Sequence, residues 1–332
     1  MRLTHVLNKV AQHTKERTVM RRVRWEVSKR ITQLQNLKEY RKREKWHKAQ
    51  RTTGNFVVRI DRGAKLRLFT DSVLCKFIHF HNFESAERSF VCNYLQEGDI
   101  FADIGANIGL FTVIAARSVG ETGLVYAFEP AERPYQRLLQ NVHLNKIQNV
   151  HAIRLGISDK VGQEEFSVPD PEYDAWASLG TPSAGAIVSK KQIGVTTLDS
   201  FVRESNLTGR VALIKMDIEG WECKALLGGR DILSGPHAPV LQVEFSDENA
   251  KNSGVSCSQL YAMLEGRGYI VCRYCEKENI VVPDPMRESY PFMNLVATKN
   301  ITATNSLLGG TKWKSKVLNG LKARFRYTLK PV

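Results

Sequence analysis

Between positions 99 and 298, apolar residues fall into short continuous runs separated by stretches in which they recur every three or four positions. The continuous runs predict strands buried on both faces, and the three-to-four spacing predicts helices packed along one side. Ile100-Phe101-Ala102 predicts a first strand after the turn at Glu97-Gly98, and Leu110, Phe111, Val113, Ile114, Ala115 and Ala116 predict a packed helix. Residues 124–128 predict a second strand, 134–145 a helix with Leu138, Leu139, Val142 and Leu144 on its apolar side, and 150–157 a third strand. A fourth strand at 211–216, a helix at 221–233, a strand at 239–245, a helix at 258–265 and a last strand pair at 269–274 and 292–298 complete the pattern. Strands alternating with helices in this way predict an α/β, doubly wound sheet. Residues 160–200, with Gly, Pro and Ser clusters, read as irregular chain with room for a substrate loop, and 195–201 as a short apolar run. In Phe77-Ile78-His79-Phe80-His81 an extended backbone would put both histidines on one face, as a polar strand face or as a base or metal ligand.

The pattern changes at both ends. Met20, Val23, Val27, Ile31, Leu34 and Leu37 recur at helical steps among Arg21, Arg22, Arg24, Lys29, Arg30 and Lys38; Trp313, Val317, Leu321 and Phe325 do so among Lys312, Lys314, Lys316 and Lys322. Both predict basic amphipathic helices, and Leu307-Leu308-Gly309-Gly310 reads as a hinge before the second. Charge follows the same division. Of the net +14, residues 1–51 hold +12 and 299–332 hold +8, leaving −6 for the middle of the chain. This predicts a basic helical arm at 1–51, a catalytic-size domain at 52–300 and a basic arm at 301–332. The arms suit packing on the core, a homo-oligomer contact through the N-terminal helix, or contact with an anionic membrane or nucleic acid. No apolar stretch reads as a signal peptide or a membrane span, so the expected location is cytoplasmic, with peripheral attachment at the inner face of a membrane. Of the six cysteines, Cys272 and Cys275 have zinc-like spacing, but no second pair lies near them, and they read as reduced strand cysteines.

Candidate chemistry lies at the strand ends. Asp103-Ile104-Gly105-Ala106-Asn107-Ile108-Gly109 joins the first strand to its helix; there glycines permit a tight turn and helix N–H groups can face an anion. Glu129, at the end of the second strand, is placed to bond a ribose diol. Asp159 and Asp217 also follow strands, and Glu244 ends another. Ligands in open α/β sheets bind outside these carboxyl ends, so the acids are expected to converge. The loop lacks the Gly-x-Gly-x-x-Gly spacing of dinucleotide enzymes. S-adenosylmethionine, which has no pyrophosphate, suits Asp103, Gly105, Asn107, Gly109 and Glu129, with Ser158 or Asp159 at the adenine edge.

These segments resemble the FkbM-type family of S-adenosylmethionine-dependent methyltransferases. The resemblance is carried by Gly98-Asp99, the run 103–112, Phe128-Glu129-Pro130, Gly156-Ile157-Ser158-Asp159 with Gly162, and Thr197-Leu198-Asp199. It is strongest in Ile214-Lys215-Met216-Asp217-Ile218-Glu219-Gly220-Trp221-Glu222, leading to Leu226-Leu227-Gly228-Gly229. It spans about 84–298 and excludes both arms. The resemblance implies a class I methyltransferase fold, a mostly parallel seven-stranded sheet with a reversed last strand. It also implies O-methylation of a hydroxyl, often on a glycan sugar or a secondary metabolite. Asp217, Glu219 and Glu244 are then the candidates at the reacting end, as base or orienting groups. Asp217 and Glu244 could instead hold a divalent cation, but no dedicated ligand cluster accompanies them and the metal-free reading is preferred. Two rivals share the fold: a ribose methyltransferase whose arms bind RNA, and a binding protein without catalysis. Neither an Asn-Pro-Pro-Tyr-type motif nor a Pro-Cys nucleophile is present for base methylation.

Overall fold

The computed structural model describes residues 29, 30, 32–169, 187–235 and 237–309. A helix α1 (32–51) leads into a hairpin of β1 (Asn55–Arg59) and β2 (Lys65–Phe69), followed by α2 (Val73–Phe80) and α3 (Ser85–Tyr94). Alternation then begins: β3 (Ile100–Ile104), α4 (Leu110–Ser118), β4 (Leu124–Phe128), α5 (Glu132–Leu144) and β5 (Val150–Ile153). Strands β6 (Gly156–Ile157), β7 (Gly162–Pro169) and β8 (Ile187–Thr196) form a separate small sheet. The chain continues through α6 (Leu198–Glu204), β9 (Val211–Met216), α7 (Glu222–Leu227), α8 (Arg230–Ser234) and β10 (Val240–Phe245). It closes with α9 (Asp247–Asn252), α10 (Cys257–Glu265), β11 (Ile270–Cys275), β12 (Ile280–Pro283), β13 (Met293–Thr298) and α11 (Ile301–Gly309).

The large sheet has the order β12-β11-β13-β10-β9-β3-β4-β5. Strands β5, β4, β3, β9 and β10 run parallel, and β13 is antiparallel to both of its neighbours, β10 and β11. Seven strands in this order, with the last in sequence inserted in reverse, make the class I methyltransferase arrangement; β12 adds an eighth strand at the edge. Strands β3 and β10 are buried throughout, because helices cover both faces, and this is why their apolar runs are continuous. One face packs on α2, α3 and α4 through residues such as Phe90, Phe101, Ile114 and Leu213; the other packs on α6, α7 and α10 through Ile104, Ile214, Leu226 and Leu264.

Several local expectations give way to tertiary packing. The third strand is split: after β5 the chain leaves the large sheet, and β6 pairs with β8 instead. Much of the irregular stretch is the antiparallel pair β7 and β8, and the apolar run at 195–201 spans the end of β8 and the start of α6. The 221–233 helix is two helices, because at Gly228 the backbone passes so near Ser158 that an added Cβ would lie 2.1 Å from its carbonyl oxygen. The segment with His79 and His81 is helical, not extended: Ser72 caps α2, its Oγ accepting from Cys75 N at 3.1 Å, and His81 ends it.

At the N-terminal side, α1 does not stand apart from the domain. Trp46 is 5% exposed, lies 5.8 Å from the His79 ring and meets Phe56 edge-on. His79 Nε2 donates to Lys42 O at 2.9 Å, and burial lowers the pKa of its ring, so it is a neutral packing group rather than a base. At the other side, 301–309 is not the start of a free arm, and 307–309 is helical rather than a hinge. Helix α11 buries Leu308, and Asn305 holds Val281 of β12 by both backbone groups, at 2.7 and 3.0 Å. The remaining arm residues, 1–28, 31 and 310–332, lie outside the described residues. Among the described residues, no helix is long and apolar enough to cross a membrane.

Candidate functional site

Strand order reverses between β3 and β9, and a cavity of about 390 Å³ opens at their carboxyl ends. A topological switch point of this kind leaves a crevice, because the loops after the two strands turn to opposite faces of the sheet. Gly105 follows β3 with φ +82°, and a Cβ there would lie 1.9 Å from Asp217 O. The glycine loop and the loop after β9 therefore touch, backbone to backbone, and only glycine allows it. Gly105 N and Ala106 N both donate to Phe128 O, at 3.0 and 2.9 Å. Asn107, also left-handed at φ +48°, donates its N–H to Glu129 Oε2 at 2.9 Å, while Glu129 Oε1 accepts from Ala131 N at 2.8 Å. Glu129 thus fastens the loop and faces the cavity at once.

Gly105, Asn107, Glu129, Asp217 and Glu219 all line this cavity. Asp103, Gly109, Ser158, Asp159 and Glu244, also expected at the site, do not. Asp103 is 1% exposed beneath the loop, with Thr112 donating to its Oδ2 at 2.6 Å; burial raises its pKa, partly opposed by Lys215. Gly109 starts α4 at φ +89°, where a Cβ would meet Leu138 Cδ1 at 2.6 Å, so it serves helix packing. Ser158 is turned away: Trp221 Nε1 donates to its Oγ at 3.3 Å, and that hydroxyl donates to Asp159 Oδ1 at 3.1 Å. Leu155, Gly156 and Ile157 stand on the cavity wall where the polar pair was expected.

The acids after β9 and in β10 form one connected group. Lys215, 2% exposed, places Nζ 2.7 Å from Asp217 Oδ2 and 4.5 Å above the Phe111 ring. Burial alone would lower its pKa; Asp217, Glu84 and Asp103 reverse that and hold it protonated. Glu219 has a left-handed backbone at φ +54°, and Asn249 Nδ2 donates to its Oε2 at 2.6 Å and to Glu244 Oε1 at 3.2 Å. Enclosure by protein, then the neighbouring acids, push both carboxyls well above the usual range. Glu244 lies behind Glu219 rather than in the cavity, as a positioning group. Among the described residues, no group of three or more His, Cys, Asp or Glu side chains is disposed to hold a metal ion. Cys272 and Cys275, three apart on β11, differ in burial and are both free thiols.

Sequence reasoning missed Glu84. It precedes the first matching segment, Gly98-Asp99, in a stretch with no motif, and reaches the cavity because α3 packs on the face of the sheet that carries Lys215. Its companions Phe77, Phe83 and Phe292 were missed too. The one available signal was the cluster of aromatics around 77–83 ahead of the first strand.

The chain is similar to a known family and to several known proteins. The family model described as "Methyltransferase FkbM domain" matches residues 103–271. Methyltransferase 1 of Beauveria bassiana is 26% identical over 254 residues, covering 70% of this chain and 92% of that protein. Among solved structures, TYW2 of M. jannaschii in complex with AdoMet is 16% identical, with a TM-score of 0.38, covering 74% of this chain and 84% of that one. A SAM-dependent O-methyltransferase from Thermotoga maritima is 13% identical, with a TM-score of 0.37, covering 73% and 77%. The fold assignment rests on the strand order of this chain rather than on those overlaps.

Proposed function

The chain belongs to the FkbM family of S-adenosylmethionine-dependent methyltransferases, and from that premise we propose that it methylates a hydroxyl group of a ring-bearing acceptor, a glycan sugar or a secondary metabolite. The observation that carries this reading is the meeting of the Gly105 loop with the Asp217–Glu219 loop in one cavity. The residues fit the donor. Glu129 stands where a ribose diol would donate, Gly105 and Asn107 shape the loop beside it, and Phe128, Leu155 and Ile157 offer an apolar slot for a purine. The bound sulfonium supplies an electrophilic methyl group, so the protein's main task is to align the acceptor oxygen. Lys215 and Asp217 supply a fixed charged pair for that purpose, and Phe77, Phe83, Phe111 and Phe292 give flat apolar walls suited to the face of a ring.

Incubation with methyl-labelled S-adenosylmethionine and separate panels of glycosides, phenols and RNA transcripts tests the reading. Label is expected as an alkali-stable ether on a glycoside or phenol; incorporation confined to RNA would select the ribose reading instead. A second element of the proposal concerns α1, which exposes Leu34, Leu37 and Tyr40 among Lys38, Arg41 and Lys42. An apolar strip bordered by cations suits an anionic membrane surface. Flotation with anionic liposomes is expected to carry the protein, and with neutral liposomes to leave it behind; no flotation with either would remove the membrane reading.

A further inference from the structure

Glu84 occupies an unusual position for a glutamate. It precedes the first turn of α3 with a left-handed backbone, φ +47° and ψ +44°, yet its side chain makes no capping bond. A non-glycine residue in that region is strained, and capping is the benefit normally gained at such a place. Instead the carboxyl is on the cavity wall. There it joins Glu129, Asp217 and Glu219, four carboxyls set against the single ammonium of Lys215, which is already 2.7 Å from Asp217. Three non-glycine residues of the cavity, Glu84, Asn107 and Glu219, hold left-handed backbones, which marks this wall as built for a ligand rather than for stability. Carboxyls in excess, enclosed by Phe77, Phe83 and Phe111, form a low-dielectric site complementary to a cation.

We propose that Glu84 recognises the positive charge of the donor's sulfonium, so that the cavity holds the methylated donor more tightly than the neutral thioether left after transfer. The inference rests on the methyl-donor reading above and goes beyond it by assigning a discriminating residue outside the family motifs. The groups facing Glu84 are Lys215, Asp217 and Glu219 from the β9 side and Glu87 and Arg88 from its own helix. Burial raises the Glu84 carboxyl to about 8, with Asp217 and Glu87 adding to the rise and Lys215 and Arg88 opposing it. Without ligand it is therefore mostly protonated at neutral pH, and a sulfonium takes the place of its proton.

Calorimetric titration of S-adenosylmethionine and S-adenosylhomocysteine into the wild type and Glu84→Gln, at pH 6.5 and 9, tests this. The two ligands share the amino-acid and nucleoside parts, so their affinity ratio isolates the sulfonium. In the wild type that ratio is expected to favour the methylated donor by roughly tenfold more at pH 9 than at pH 6.5. In Glu84→Gln it is expected to be lower and independent of pH, with S-adenosylhomocysteine affinity changed less than about twofold. Equal ratios in the two proteins at pH 9, or a pH-independent ratio in the wild type, would overturn the proposal. Failure of both ligands to bind the wild type is a different result and would overturn the donor reading itself. Should Glu84→Gln not fold, titrating the wild type in two buffers of different ionisation heat decides: near pH 7, more proton release is expected with S-adenosylmethionine than with S-adenosylhomocysteine, and equal release overturns the proposal.

Discussion

At Gly105 the left-handed backbone runs against the carbonyl of Asp217, and this contact joins the two halves of the site. Gly105→Ala is expected to cost more than about 2 kcal/mol and to abolish donor binding, because a Cβ 1.9 Å from a backbone oxygen forces the loops apart. Thermal denaturation alongside donor titration checks both effects; unchanged melting and affinity would mean that the loops do not touch. A second residue-scale expectation concerns Asp217. Asp217→Ala leaves the Lys215 ammonium buried without its partner at 2.7 Å and is expected to destabilise by about 3 kcal/mol. Adding Lys215→Met should recover much of that loss, since the isolated charge is then gone. Urea denaturation of the two single variants and the double variant measures this, and simple additivity would show that the pair is not coupled.

Among the elements, α11 shows how far local pattern can mislead. Leu307-Leu308-Gly309-Gly310 has the composition of a hinge, and the basic residues beyond it suggest an arm beginning at 301. What places 301–309 in the domain is Asn305, whose amide replaces a strand partner for Val281, and Thr304, whose hydroxyl lies 2.8 Å from that of Thr298. Asn305→Ala is expected to cost about 1–3 kcal/mol, because it leaves a buried N–H and C=O of β12 unpaired. Chemical denaturation measures the loss, and amide exchange at Val281 should quicken with it. The same logic applies to Ser158, expected at the adenine edge: its hydroxyl accepts from Trp221 and its carbonyl lies against Gly228, so it seats α7 against β6 instead.

Across the whole molecule, buried acids in and behind the cavity have raised pKa values. Glu84 is raised to about 8 and Glu222 to about 7, and Asp103, Glu87, Glu219 and Glu244 are also raised, in each case chiefly by burial. The folded chain therefore binds more protons than the unfolded chain, whose carboxyls titrate near 4, so stability falls as pH rises through about 7–8. Melting of the ligand-free protein is expected several degrees lower at pH 9 than at pH 6, and scanning calorimetry at both values tests it. Equal melting temperatures would show that these carboxyls ionise alike in both states. By itself, the sequence determined the class of fold, the core strands β3, β4, β9, β10, β11 and β13 with the helices α4, α5 and α10, and the loop at 103–109 with Glu129 and the 214–222 segment. Those features are local: apolar period, glycine at a turn and an acid at a strand end all act within a few residues. Only the tertiary structure decided which acids share a cavity. It buried Asp103 and Glu244, turned Ser158 aside and brought in Glu84 and the phenylalanines of 77–83, because burial and proximity are set by helices packing across the sheet between residues more than a hundred positions apart.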